Sequence, residues 1–194
     1  MADPVEILDY WLGDVGPDGW YRGDAALDAE IRTRFGDIWT AARDGGLEHW
    51  VDGPAGTLAY LIICDQFSRN MHRGHADAFA TDALARAAAR RAVAEGWDMD
   101  APAPERQFFY KPFEHSEDPA DQTLAVEFLS ERIADAELAL HARAHQTVIA
   151  RFGRFPTRNA ALGRENTPQE AAFLAEGGYR AVVNALKASH APGA

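Results

Sequence analysis

Residues 58–74, LAYLIICDQFSRNMHRG, run from an unbroken apolar stretch straight into an acid, an amide and two arginines. Whether this segment is a strand or a helix decides the architecture. A continuous apolar run is compatible with a buried strand, but no second β-rich run exists along the chain to pair with it. The segment therefore reads as a central helix, buried on most sides, spanning about 56–69. Its polar end puts a carboxylate, Asp65, directly after the apolar run. A buried, ionised carboxylate left unpaired costs several kcal/mol, so a donor such as Arg69, one helical turn on, is expected to hold it.

The punctuation on either side is helical as well. A capping residue followed by Pro at the first helical position recurs at Asp3-Pro4, Asp118-Pro119 and Thr167-Pro168. Thr167 and Glu170 also form a T-x-x-E capping box, which satisfies two otherwise unpaired backbone donors reciprocally. The Ala-rich stretch DALARAAARRAVAEG has high helix propensity and closes on Gly96. These signals place helices at about 4–12, 25–44, 56–69, 82–95, 103–113, 119–134, 137–152 and 168–176, with a further helix possible at 179–189. The fold class that follows is all-α. The linkers at 13–19 and 45–56 are short, the first running into Trp20 and the second carrying Trp50, so the chain reads as one domain over 1–194, with 179–194 a weakly ordered or variable tail.

The 194 residues carry a net charge of -11, with 47% hydrophobic and 25% charged side chains. That is the composition of a soluble globular protein, and a chain of this length buries about 70% of its unfolded surface. The negative charge repels phosphate backbones and anionic lipid, so neither nucleic acid nor a membrane is the expected partner. The N-terminal segment MADPVEILDYWLG has acids and no basic residue, unlike a secretory signal, and the longest apolar run is far short of the ~20 residues that span a bilayer. The lone Cys64 lies inside that run and reads as a small buried hydrophobe, which favours a reducing, cytoplasmic location.

Against the acidic background stand two islands of positive charge: 66–76, with Arg69, His72, Arg73 and His75, and 151–164, with Arg151, Arg154, Arg158 and Arg164. Between them in sequence, 112–121 places Glu114, Glu117, Asp118 and Asp121 around His115. Three accounts fit these residue types. In the first, the arginines cap helix ends and bridge to the acids, with Asn70 and Asn159 ending helices in left-handed geometry. The second is a binding module that takes a small anionic ligand or a peptide carboxylate, with Asp65, Arg69, Asn70, His145, Arg154, Arg158 and Asn159 around the ligand. In the third, the protein is a hydrolase with His115 as general base and Glu114 or Glu117 orienting it. His141 and His145, four apart on one helical face, have metal-ligand spacing, but no H-E-x-x-H and no intervening carboxylate accompany them, so no metal site and no cofactor are assigned.

The segments LIICDQFSRNMHRG, FYKPFEHSED and IARFGRFPTRNAALGRENTPQEAAFL, with VEILDYWLG near the start, resemble the bacterial family catalogued as domain of unknown function 924. The resemblance covers residue 5 to about 176. It implies an all-α fold of stacked antiparallel helix pairs similar to the tetratricopeptide-like superfamily, although no 34-residue repeat is visible in the sequence. The two basic islands and the acidic one are expected to meet at one end of the helical bundle, and the resemblance counts Asp65, Arg69, Asn70, Glu114, His115, Glu117, His145, Arg154, Arg158 and Asn159 among its motif positions. It brings no established reaction. The chain departs from the family pattern at Ser68, where proline is typical, at His72, where tyrosine is, and at Thr157, where histidine is common.

Overall fold

The structure is a computed structural model that describes residues 3–190. Every regular element among them is helical, as the sequence requires. The chain divides into two compact units, Met1–Pro112 and Phe113–Ala194.

In the first unit, α1 (Pro4–Leu8) continues as a π-helical stretch, Asp9–Val15, and is followed by α2 (Ala25–Arg43), α3 (Pro54–Leu61) and α4 (Asp82–Glu95). Asp3 starts α1 by accepting the Val5 N–H at 2.9 Å, and Asp24 does the same for α2 through Ala26 at 2.8 Å. Gly96 ends α4 in the left-handed region, with φ of 75°. The helix α3 does not stop at Leu61 but widens into a π-turn over Ile62–Phe67 before a last α-turn, Ser68–Met71. At the π-turn the Ser68 N–H reaches back five residues to the Ile63 carbonyl, and the Cys64 carbonyl accepts the hydroxyls of Ser68 at 2.9 Å and Thr81 at 2.5 Å. Thr57 to Ser68 are all buried, which is the central helix expected from the apolar run.

Aromatic rings lock this helix in place. Phe67 stacks on Phe35 of α2 at 5.0 Å and meets Trp11 edge-on at 5.3 Å, while Tyr10 tilts against Phe35 at 5.0 Å. Burial pushes the Cys64 thiol well above its ordinary pKa, so it stays a neutral, apolar group.

One segment differs from the sequence reading. A helix over 103–113 is expected, yet Glu105–Phe109 is a 3₁₀ turn and Lys111–Glu114 a separate helical turn. Local side chains take over the backbone acceptors there: Gln107 donates its amide to the Pro104 carbonyl at 2.9 Å and Arg106 donates to Ala101 O at 2.9 Å. The backbone follows with i→i+3 bonds, Gln107 to Pro104 and Tyr110 to Gln107.

In the second unit, α5 (Pro119–Phe128) extends through a π-turn, Leu129–Ile133, and is followed by α6 (Ala136–Phe152), α7 (Pro168–Ala175) and α8 (Gly178–His190). Asp118 and Thr167 cap α5 and α7, and the Thr167–Glu170 capping box is complete. Val148 and Ile149 of α6 form one apolar cluster with Phe155 and Phe173, and Leu140 and Ala144 form another with Val183. The second cluster seats the further helix expected at about 179–189. Residues 178–190 form α8, because Tyr179, Val182, Val183 and Leu186 recur at helical spacing and pack on α6. Residues 191–194 lie outside the described residues. No helix among the described residues is long and apolar enough to cross a membrane.

Two glycines give opposite expectations. A Cβ on Gly56 would lie 2.2 Å from the Trp50 carbonyl oxygen, whereas one on Gly36, inside α2, would meet nothing within 4 Å. In urea unfolding, Gly56→Ala should lose about 1–3 kcal/mol to overpacking, and Gly36→Ala should gain about 0.5–1 kcal/mol by restricting the unfolded chain.

Candidate functional site

The polar end of the central helix is a set of closed ion pairs. Asp65 is 1% exposed, and Arg69 holds it at 3.0 Å while also reaching Asp82 at 3.0 Å. Gln66 donates its side-chain amide to the other Asp65 oxygen at 2.6 Å. The next turn repeats the device with a partner that the sequence reading missed. Asn70 donates to Asp28 of α2 at 2.8 Å, and the Arg73 fork grips the same carboxylate at 2.8 and 3.0 Å. Burial pushes the Asp28 pKa up, but the hydrogen bonds from Arg73 and Asn70 outweigh it and hold the carboxyl below its ordinary value. Asn70 is not left-handed, and neither is Asn159; the single non-glycine residue with positive φ among those described is Ala134. Both asparagines act instead through their side-chain amides.

The second unit brings the other two islands together. Glu117 accepts the Phe155 N–H at 2.8 Å and both arms of Arg164, at 2.9 and 3.0 Å. Its burial is again overcome, by Arg164 first and by the Phe155 amide after it, so its pKa lies below the usual carboxylate value. Arg158 donates to the His115 carbonyl at 2.7 Å and lays its guanidinium over Phe155, 4.5 Å from the ring centre. Arg154 forks onto Glu170 at 2.6 and 2.8 Å and reaches the Glu165 carbonyl at 2.9 Å. The capping acid of α7 thus also anchors the turn that follows α6, where Gly153 adopts a φ of 69°. Asn159 is fully buried; it donates to Asn166 Oδ1 at 2.7 Å, and its own Oδ1 has no hydrogen-bond partner among the described residues.

Beside these clamps lies a histidine set with a different character. Glu114, 1% exposed, places Oε1 2.9 Å from Nδ1 of His145. The carbonyl of His141 lies 3.0 Å from the same nitrogen. Both neighbours can only accept, so Nδ1 carries the hydrogen and, in the neutral ring, Nε2 carries the lone pair. The Tyr179 ring stands 4.7 Å from the His145 ring, Phe155 5.4 Å and His115 6.1 Å, the last two nearly edge-on. His141 has the opposite arrangement. Its Nε2 faces Glu137 at 3.4 Å, so its Nδ1 accepts the Tyr179 hydroxyl at 2.6 Å. Glu137 is held below the ordinary carboxylate range chiefly by Lys187 of α8. The (i, i+4) histidine pair is therefore divided between two networks, and no group of three metal-ligating side chains occurs among the described residues.

Of the ten residues singled out in the sequence, Asp65, Arg69 and Asn70 belong to the first unit. His145 with Glu114, Arg158 with His115, and Glu117 with the Arg154–Asn159 segment belong to the second. Asp28, Arg164, Asn166 and Tyr179 complete these networks and were not among the ten. Tyr179 had a signal available, its place at the head of an amphipathic stretch, whereas Asp28 and Asn166 have none in their local sequence.

Residues 7–178 match the model of a family described as bacterial protein of unknown function, DUF924. The fold is similar to the solved structure of a protein of unknown function from Agrobacterium tumefaciens. That protein is 40% identical, with a TM-score of 0.84 and a match covering 89% of this chain and 97% of the other. No curated protein matches the chain.

The Arg154–Glu170 clamp has a signature in acid. Arg154, and then the Thr167 amide, lower the Glu170 pKa from 4.5 to about 2. A carboxyl depressed on folding contributes stability that is present in full above its unfolded value and lost as pH falls through the folded one. Thermal unfolding followed between pH 4.5 and 2 should therefore fall more steeply in the wild type than in Glu170→Gln, whose Tm is already lower at pH 7.

Proposed function

This chain belongs to the bacterial DUF924 family, and we propose that within it the protein is an enzyme of the hydrolase type, in which His145 is the general base and Glu114 the residue that orients it. The observation that supports this reading is the state of the His145 ring. Nδ1 is committed to a buried carboxylate and a carbonyl, while Nε2 makes no hydrogen bond to any described residue. A base so placed takes the proton of a water molecule as that water attacks an electrophilic centre. The imidazolium formed is then stabilised by the Glu114 carboxylate at 2.9 Å.

The role first given to His115 passes to His145 because the Glu114 carboxylate lies 2.9 Å from the His145 ring. His115 then serves as a wall of the site, 6.1 Å from the base. Glu117 is a clamp, since both its oxygens are taken by Arg164. The alternative of an anion-accepting module draws less support from the geometry. Arg69 and Arg154 spend their forks on Asp65, Asp82 and Glu170.

Two measurements test the dyad. Long-range ¹H–¹⁵N spectra should show His145 with its neutral-form proton on Nδ1, and Glu114→Gln should weaken that preference. In a panel of p-nitrophenyl esters, phosphates and amides, the substrate turned over by wild type should lose about 10²–10⁴-fold in kcat with His145→Gln. A proton resident on Nε2, or full turnover by His145→Gln, removes the base.

A further inference from the structure

We propose that the second unit carries a further site, separate from the histidine dyad, that binds a small organic acid: a carboxylate on an apolar body. The site is a cleft of about 670 Å³. Its walls come from the π-helical extension of α5, the first two turns of α6 and Lys187 of α8. Ala134, Ala136, Ala139 and Leu140 supply its apolar surface, and its volume falls within the range that accepts a drug-sized molecule.

Arg143 is the residue that points to an anion. Arg69, Arg73, Arg154 and Arg164 each meet a carboxylate. Arg143, half-buried, makes no ion pair with any described residue; its one hydrogen bond runs from Nη2 to Ser130 Oγ at 3.3 Å. Ser130 is itself a wall residue, so the guanidinium and not merely its stem stands at the cleft. Its remaining donors are uncommitted, and the planar fork matches a carboxylate with two parallel bonds. The other charges of the lining are already engaged. Lys187 meets Glu137 at 2.8 Å, and Asp135 accepts the Glu137 and Leu138 N–H groups at 2.9 Å. Two cations and two acids leave the lining neutral, so in a chain of net charge -11 a monoanion suits it better than a phosphate dianion.

The cleft is fixed in advance and stands apart from the dyad. Arg143 lies about 200° around α6 from His145, so the two side chains leave the helix on different faces. The Asp135 cap sets the first turn of α6, and the Lys187–Glu137 pair ties α8 to that same turn. Little ordering of protein is then left for the ligand to accomplish.

The test uses the full chain and three probes of matched length, hexanoate, hexanol and hexyl phosphate, titrated calorimetrically at pH 7. Wild type should take hexanoate about tenfold more tightly than hexanol, with hexyl phosphate weaker than hexanoate. Arg143→Met, which keeps an aliphatic stem, should bring hexanoate down to the affinity of hexanol or below it. Arg143→Lys should fall between the two, because it retains the charge without the fork. Ala136→Trp, at an exposed position of the wall, should abolish binding of all three while circular dichroism shows the fold intact. Equal affinity for hexanoate and hexanol, tighter binding of hexyl phosphate, a hexanoate preference that survives Arg143→Met, binding that survives Ala136→Trp, or no binding of any probe up to millimolar concentration would overturn the assignment.

Discussion

An ionised carboxylate can leave water only if something else solvates it, and in this chain that requirement arranges the polar chemistry. Asp65 is brought to 1% exposure by the apolar run that precedes it, and Arg69, Gln66 and the backbone of the same helix are organised around it. The pattern recurs with Asp28 held by Asn70 and Arg73, with Glu117 held by Arg164, and with Glu170 held by Arg154. Each of these links residues distant in sequence, so the cost of burying the acid is converted into a tie between elements. The arginines that looked available to an external anion are, for the most part, the internal counter-ions of this scheme.

Glu114 adds a partner of another kind. It meets a histidine, whose second nitrogen stays uncommitted when the first is occupied. An arginine in the same place would have closed the network, as it does at Glu117. With Nδ1 held against Glu114, His145 keeps the lone pair of Nε2. Tyr179 and Lys187, on the C-terminal helix, organise the neighbouring His141. A helix that adds to the apolar core thereby also determines which of two adjacent histidines keeps an uncommitted nitrogen.

The parts of this structure that were legible in the sequence are those whose causes are local. Asp3-Pro4, Asp118-Pro119 and the Thr167–Glu170 box each signal a helix start within four residues, and each starts a helix. The Asp65–Arg69 pair spans one turn and was equally visible. The 103–113 segment was misread because apolar content alone does not separate a 3₁₀ turn from an α-helix. The deciding bonds, from the Gln107 amide and the Arg106 guanidinium, come from side chains that fit either conformation. Asn70 and Asn159 suggested helix ends by composition, yet their partners are Asp28 and Asn166, and the first of these lies 42 residues away. The contact between Glu114 and His145 was hidden for the same reason. Glu114 adjoins His115 along the chain, whereas no acid lies close to His145 in sequence, and only the orientation of Glu114 towards α6 brings the two together.

The thiol of Cys64 offers a view of motion that none of the charged groups can give. It is sealed at 0% exposure in the π-turn of the central helix, and burial keeps it protonated. A thiol-specific reagent reacts with thiolate that it can reach, so the intact core presents it with almost no target. Label accumulates at the frequency with which that helix parts from its neighbours, and a single native sulfur becomes a clock for the opening of the core.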